Sequence, residues 1–349
     1  MAVGGGTNII GASLTAMAFA FAAPSARAAA VAAPAVQIAI GGGTVDSAAF
    51  RWSSALSEIL SRPPGLPDCD PSAPCGVPGV IATARTYDDS ASLLKALADR
   101  RVATAVVPAL PVFRARCLQS GLVRAPFAVL KNLYRQPLYI VVPGGLPAIA
   151  QPKGWTGKTL TVGVAGSDSA LIASALLEAY GVPRDRVKTL RLPPAQALAA
   201  MRSRTAAVGI FIGRTYDAPV ADLVRHGFTL VSLPDSPERK RLLKAVPVLE
   251  AAAIPPGAFP GLPPTSTVSQ TVSWVAGPGL DSAIAEKLVA AIAEPHNLTR
   301  LEELVDPVPP VPEGEAFLGA PAPLADAAKH FAGMNHLPTG TIDCPTPSR

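Results

Sequence analysis

Three short stretches of the chain carry residue types that could do chemistry. Ser92-Leu93-Leu94-Lys95 has the S-x-x-K form, in which a lysine amine activates a serine nucleophile in penicillin-recognising enzymes. Its companions are missing, because there is no S-D-N and Lys158-Thr159-Leu160 lacks the glycine of K-T-G. Ala165-Gly166-Ser167-Asp168-Ser169 fails the G-x-S-x-G nucleophile elbow at both flanking glycines. Gly41-Gly42-Gly43 is followed by Asp46 where G-x-G-x-x-G needs its last glycine, so a dinucleotide turn is not expected. What remains at these turns is hydrogen-bonding capacity: backbone N–H groups and Ser or Thr hydroxyls that can hold a small ligand without reacting with it.

The other reactive side chains point the same way. His226, His296, His330 and His336 show no paired ligand spacing, and Cys69 and Cys75 are too far apart for a C-x₂₋₄-C zinc site, so no metal and no cofactor is expected. The four cysteines, at 69, 75, 117 and 344, are even in number and suit disulfides in an oxidising compartment. They allow three connectivities, among which 69–75 with 117–344 needs the least rearrangement. Arg214 follows an apolar run and has the planar donor fork that grips a carboxylate.

The elements that must position these residues alternate between strand and helix. Val36–Ile40 is a β-branched run entering the Gly-rich turn, and residues 48–60 repeat apolar side chains at helical spacing. Strands over 80–84 and 102–107 bracket a helix over 90–98 capped by Asp89 or Ser90. Strand 138–142 stops at Pro143-Gly144-Gly145, and a second unit then begins: strand 158–164, the Gly-Ser turn, helix 170–180, strand 187–190, helix 194–203 and strand 206–212. Residues 265–275 alternate small polar with apolar side chains, which predicts a strand with one wet face. Helices over 281–293 and 324–334 follow, and 338–349 reads as a loose tail. Repeated strand–turn–helix units predict an α/β fold with a largely parallel sheet.

Composition sets outer limits. The 349 residues include 38 Pro, about twice average usage, with 5% aromatic and 16% charged residues and a mean hydropathy of +0.33. That apolar content excludes wholesale disorder, and the length favours two domains. The net charge of +5 is scattered; its densest cluster, Arg239, Lys240, Arg241 and Lys244, has no aromatic interleaving and reads as a solvated helix face, so nucleic acid is not an expected partner. Ile9–Ala23 is apolar and leads to the small-residue site Ala26-Arg27-Ala28, the shape of a signal peptide cleaved after Ala28, although no Lys or Arg precedes it.

Taken in order, IAIGGGTVDSAAFRWSSALSEIL, LYRQPLYIVV with GWTGKTLTVGVAGSDSALIASALLEAYGV, IPPGAFPG before TVSWVAGPGL, and APLADAAKHF resemble the TAXI group of solute-binding proteins of tripartite ATP-independent periplasmic (TRAP) transporters, over about residues 36–334. The resemblance implies a type II periplasmic binding protein: two α/β lobes joined by crossover strands with a ligand cleft between them. It implies residues 29–142 as the first part of lobe 1, 143–254 as lobe 2 and 255–337 as the return to lobe 1, with hinges near Val142 and Ile254. The implied activity is non-covalent capture, in the periplasm, of a small organic anion, a carboxylate or an amino-acid-like molecule, for delivery to a TRAP-type membrane permease. Gly43, Thr44, Phe50 and Ser90 of lobe 1, with Gly166, Ser167, Asp168, Ser169 and Arg214, are the implied ligand-binding residues. Trp52 lies in the same first helix as a further cleft or core candidate. The sequence departs from the family at Ala48-Ala49-Phe50, where Thr-Tyr-Tyr is usual, and at Asp168, which adds a negative charge beside the expected anion site. The alternatives are a ligand-presenting partner of a membrane sensor and a serine enzyme using Ser92 and Lys95.

Overall fold

In the computed structural model the described residues are 1–6, 35–70, 72–117, 122–213 and 217–345. The chain divides into a unit Met1–Ala33 and a unit Pro34–Arg349. Of the first, only Met1–Gly6 is described; these residues are exposed and without regular structure, and the expected signal segment otherwise lies outside the described residues. The second unit holds everything that follows.

Its strands are β1 (Val36–Gly41), β2 (Ser61–Arg62), β3 (Val77–Pro78), β4 (Val80–Arg85), β5 (Thr104–Pro108), β6 (Ala128–Pro143), β7 (Thr159–Thr161), β8 (Lys188–Leu190), β9 (Val208–Ile212), β10 (Phe228–Leu230), β11 (Leu249–Ile254) and β12 (Thr265–Ala276). Its helices are α1 (Ala48–Leu60), α2 (Ser90–Ala98), α3 (Ala109–Cys117), α4 (Asp168–Ala179), α5 (Pro194–Arg202), α6 (Ala218–Arg225), α7 (Pro237–Ala245), α8 (Ser282–Ala293), α9 (Pro295–Val305) and α10 (Asp326–Met334). Short side chains start most helices by accepting an otherwise orphan backbone N–H. Ser47 does so for α1, Asp89 for α2, Ser167 for α4, Asp217 for α6, Ser236 for α7 and Asp281 for α8.

The sheet runs β3-β2-β4-β1-β5-β12-β6-β9-β7-β8, with β10 on β6 and β11 on β12. Pairing is parallel within β4-β1-β5 and within β8-β7-β9, but β6 and β12 run antiparallel to each other and to their neighbours, so the sheet is mixed rather than largely parallel. Two α/β lobes follow from this order. β6 serves both: 128–137 pairs with β12, and Leu138–Val141 pairs with β9. β12 is divided the other way, with 265–270 paired to β11 and 272–276 to β5. The crossing therefore falls where Gln136 stands opposite Gln270 and Pro137 opposite Ser269, and not at Val142 and Ile254, which lie inside regular strand pairs.

Each lobe has apolar side chains on both faces of its sheet, the requirement for a sheet covered by helices on either side. In lobe 1, Ile38, Ile40, Val106 and Trp274 enter one core with Trp52, Leu56 and Leu288, while Val107, Val129 and Val275 enter another with Leu93, Leu97 and Phe317. In lobe 2 the alternation is visible along β6 itself: Leu138, Ile140 and Val142 face the core of α4, and Tyr139 and Val141 face Met201, Leu223 and Phe259. Each such side chain contributes about 1.5–3 kcal/mol through burial.

Two further expectations fail. The predicted wet face of β12 is buried, because the strand is central: Thr267, Ser269, Gln270 and Ser273 are all 1% exposed or less. Most of this polarity is matched locally. Thr267 Oγ1 donates to the Leu138 carbonyl at 2.5 Å, and Ser273 Oγ donates to Asn132 Oδ1 at 2.8 Å. The tail expected to be loose is tied down as far as it is described. Thr341 bridges to Ala320, and Cys344 is disulfide-bonded to Cys117, with Cys69 bonded to Cys75.

Candidate functional site

The turns that leave the carboxyl ends of the strands assemble the site. In lobe 1, Gly42 N–H donates to the Arg85 carbonyl and Tyr87 N–H to the Gly43 carbonyl, which lays the β1–α1 turn beside the β4–α2 turn. Gly43 and Thr44 are thereby brought to the same end of the lobe as Ser90 at the start of α2. Thr44 is exposed and its carbonyl accepts from Ser47 N–H, whereas Gly43 and Ser90 are half-buried. A Cβ at Gly43 would lie 2.6 Å from Ser47 Oγ, the capping atom of α1, so the turn requires glycine there. Phe50 is half-buried and its N–H donates to that same Oγ at 3.1 Å. Trp52 belongs to the core, stacked on Tyr134 with ring centroids 5.6 Å apart.

In lobe 2 the turn after β7 is built from Gly163 and Gly166, both at positive φ, where a side chain would be strained. A Cβ on Gly163 would also lie 2.8 Å from Ser167 Oγ. Ser167 caps α4, accepting from Ala170 N–H at 3.3 Å and donating to the Val164 carbonyl at 2.8 Å. Ser169 Oγ accepts from Ile212 N–H at 3.1 Å, which fastens the start of α4 to the end of β9. Both hydroxyls therefore have structural tasks. Arg214, just beyond β9, lies outside the described residues.

The link at the crossing joins Asp168, which the sequence singled out, to Gln270, Gln136 and Leu110, which it did not. Gln270, fully buried at the crossing, accepts from Leu110 N–H at the start of α3 (3.1 Å) through Oε1. Its Nε2 donates to Asp168 Oδ2 at the start of α4 (2.8 Å) and to Gln136 Oε1 on β6 (3.3 Å). One amide thus joins the N-terminus of α3, whose Ala109, Leu110 and Phe113 pack into the lobe 2 core while Val112 and Ala115 pack into lobe 1, to the N-terminus of α4 beside the crossover strands. Asp168 keeps part of its surface open, but its carboxylate is enclosed. Desolvation pushes its pKa up to about 6, against the opposing effects of the Gln270 hydrogen bond and the Arg114 charge. Burial outweighs the helix N-terminus, which by itself favours the ionised acid.

On the other side of the ribbon, Arg135 ties the lobes together by charge. Its guanidinium meets Glu250 on β11 and Glu315 Oε2 at 2.5 Å. Gln270 was hidden in a Thr- and Ser-rich strand. The start of α3 was hidden by Pro108 and Pro111, which a first helical turn tolerates because its N–H groups need no intrahelical partner.

The serine-enzyme arrangement is not formed. Ser92 Oγ donates to the Asp89 carbonyl at 2.9 Å, and Lys95 Nζ is held by Asp99 Oδ2 at 2.8 Å, so amine and hydroxyl are each engaged elsewhere. Among the described residues, no group of three or more His, Cys, Asp or Glu is placed to hold a metal ion, and no helix is long and apolar enough to cross a membrane.

Two α/β lobes exchanging a pair of long antiparallel strands define a type II periplasmic-binding-protein fold. Residues 78–332 match the NMT1-like family, and the chain belongs to that family. Similar solved structures include XAC2383 of Xanthomonas citri bound to ATP, at 13% identity and TM-score 0.49, covering 86% of this chain and 98% of that one. The probable amino-acid ABC transporter extracellular-binding protein ytmK of Bacillus subtilis aligns at 13% identity and TM-score 0.46, covering 77% and 96%. The aliphatic sulphonate binding protein SsuA of Escherichia coli aligns at 13% identity and TM-score 0.43, covering 86% and 84%.

Proposed function

We propose that the protein is a periplasmic solute-binding protein that takes a small amino-acid-like organic acid into the interlobe cleft without covalent chemistry. The supporting observation is the Leu110–Gln270–Asp168 link: it gathers an enclosed carboxylate, an amide and two helix starts where the lobes meet. In this reading the ligand's ammonium meets Asp168. Its carboxylate meets backbone N–H groups around Gly43, Thr44, Gly166 and Ser167 and the hydroxyls of Ser90 and Ser169, together with Arg214, and Phe50 flanks its apolar part. Ligand displaces part of the Gln270 network and the lobes rotate about the Gln136–Gln270 crossing, with residues 143–254 and the flanking strand segments up to that crossing as the moving lobe.

The two disulfides accord with an exported protein in an oxidising compartment. The resemblance to TAXI proteins makes a TRAP-type membrane permease the receiving partner in this proposal. A thermal-shift panel of amino acids and organic acids tests the reading, since a ligand at 100 Kd stabilises by about 2.7 kcal/mol. A stabilising amino acid whose effect is lost in Asp168→Asn supports the site; stabilisation equal in both proteins, or none across the panel, overturns it.

A further inference from the structure

The C-terminal segment crosses the back of the hinge. Leu337 packs on the lobe 1 core, and residues 340–342 lie along the lobe 1 stretch 317–320. Gly340 N–H donates to the Phe317 carbonyl, Ala320 N–H to the Gly340 carbonyl and Ile342 N–H to the Ala320 carbonyl, each at 2.9 Å. Ile342 then packs against the lobe 2 core, as does Cys117 at the end of α3. Ile342 also lines a cavity of about 320 Å³ on this side, together with Pro247 and Glu250 of lobe 2, Leu318 of lobe 1 and Arg135 of β6. The Cys117–Cys344 bond is therefore a staple across the lobe boundary: one sulfur belongs to a tail hydrogen-bonded to lobe 1, the other to a helix end seated on lobe 2. Cys69–Cys75, by contrast, closes a loop within lobe 1.

The surroundings of the two sulfurs are unequal. Cys344 is exposed and follows Asp343. Cys117 is half-buried, and Arg116 Nε donates to its Sγ at 3.1 Å while Nη2 of the same guanidinium donates to the Ile342 carbonyl. A cation beside one sulfur favours its thiolate, and a carboxylate beside the other opposes it. Exchange is fastest where the attacked sulfur is accessible and the leaving thiol is acidic. Both conditions select attack at Cys344 with Cys117 as the leaving group.

We propose that Cys117–Cys344 is a thiol–disulfide exchange site for a dithiol reductant, and that its opening lets the lobes rotate over a wider range. A thiolate of the reductant attacks Cys344 Sγ, the S–S bond breaks, and its electron pair leaves on Cys117 beside Arg116. The reductant's second thiol, as thiolate, then attacks the mixed disulfide, closing the reductant into a disulfide and releasing Cys344. Two electrons pass to the protein, and the two thiol protons of the reductant end on Cys117 and Cys344 or in solvent. The class is a dithiol because the hydrogen bonds of 340–342 keep Cys344 near Cys117, which recloses a mixed disulfide unless a tethered second thiol acts first.

The test uses the full chain without ligand, so its outcome is independent of what the interlobe cleft binds. Native protein is treated with dithiothreitol or with glutathione, trapped with iodoacetamide and mapped by peptide mass spectrometry. Dithiothreitol opens Cys117–Cys344 and glutathione does not. Arg116→Gln is opened about threefold or more slowly than wild type, and Arg116→Lys, which restores the cation, at near the wild-type rate. Maleimide-linked nitroxides at Lys188→Cys in lobe 2 and Lys287→Cys in lobe 1, both exposed positions, report the interlobe distance by double electron–electron resonance. The distribution broadens on reduction, extending to separations absent from the oxidised protein. Cys117→Ser with Cys344→Ser broadens it without reductant, and Ile342→Ala broadens it in part with the bond intact, whereas Cys69→Ser with Cys75→Ser leaves it unchanged. A distribution unaltered by reduction and by loss of Cys117 and Cys344, Arg116→Gln opened as fast as wild type, or loss of the folded circular-dichroism signal on reduction overturns the proposal.

Discussion

Replacing Asp168 by Asn removes a carboxyl group that the fold holds against its preference. An unfolded Asp ionises near 3.8, and in the folded protein Asp168 retains its proton up to about pH 6 because its carboxylate is desolvated. Between those values the folded state binds more protons than the unfolded one, so stability falls as pH rises from about 4 to about 6 and is then level. Two pKa units at 1.36 kcal/mol each set an upper bound of about 3 kcal/mol, and screening at the open part of the residue reduces this to about 1–2 kcal/mol. Asn retains an oxygen that can accept from Gln270 Nε2, so the hydrogen bond survives while the charge does not. Urea denaturation of wild type and Asp168→Asn at pH 4.0 and 7.5 measures the effect. The variant is expected to match wild type at pH 4.0 and to exceed it by about 1–2 kcal/mol at pH 7.5. A variant less stable than wild type at pH 7.5 by more than it is at pH 4.0 would refute the reasoning, since it would mean that the ionised carboxylate is a net stabilising partner of Arg114 and Gln270.

Gln270→Ala removes the acceptor of Leu110 N–H and a donor to Asp168, and is expected to cost about 1–3 kcal/mol in the same assay. An unchanged midpoint would show that water replaces the amide without loss. Arg135→Ala separates Glu250 from Glu315 but acts on partly exposed charges, so its expected cost is about 1 kcal/mol, diminishing in 0.5 M salt; a salt-independent loss would argue against ion pairing as the cause. The Cys117–Cys344 bond spans 227 residues of sequence against 6 for Cys69–Cys75. By loop entropy the former contributes about 5 and the latter about 2 kcal/mol. Paired Cys→Ala variants at 117 and 344 should therefore melt well below those at 69 and 75, and the reverse order would contradict the entropic argument.

Local signals were the legible part of the sequence. Helix α1 spans the residues that the apolar spacing of 48–60 indicates, because Ser47 caps it and its buried side chains form one stripe. The Gly-Ser turns fall after β1 and β7, as strand-to-helix units require. Non-local features were not legible. β6 reads as five residues yet runs from Ala128 to Pro143, since Lys131, Asn132, Arg135 and Gln136 interrupt the apolar pattern and are tolerated only because partners from β12 and the 313–318 region satisfy most of them. For the same reason β12 looks half-wet and is buried. In the candidate site, Ser167 and Asp89 announce themselves as caps, whereas the importance of Gln270 depends on contacts with residues 160 and 102 positions away in sequence.

The central claim is that the lobes close over a ligand at the Gln136–Gln270 crossing. Small-angle X-ray scattering of the protein with and without the amino acid that most raises its melting temperature tests this directly. The account predicts a smaller radius of gyration with ligand in wild type and no such contraction in Asp168→Asn at the same concentration. Stabilisation without contraction, or contraction that persists unchanged in Asp168→Asn, would contradict it.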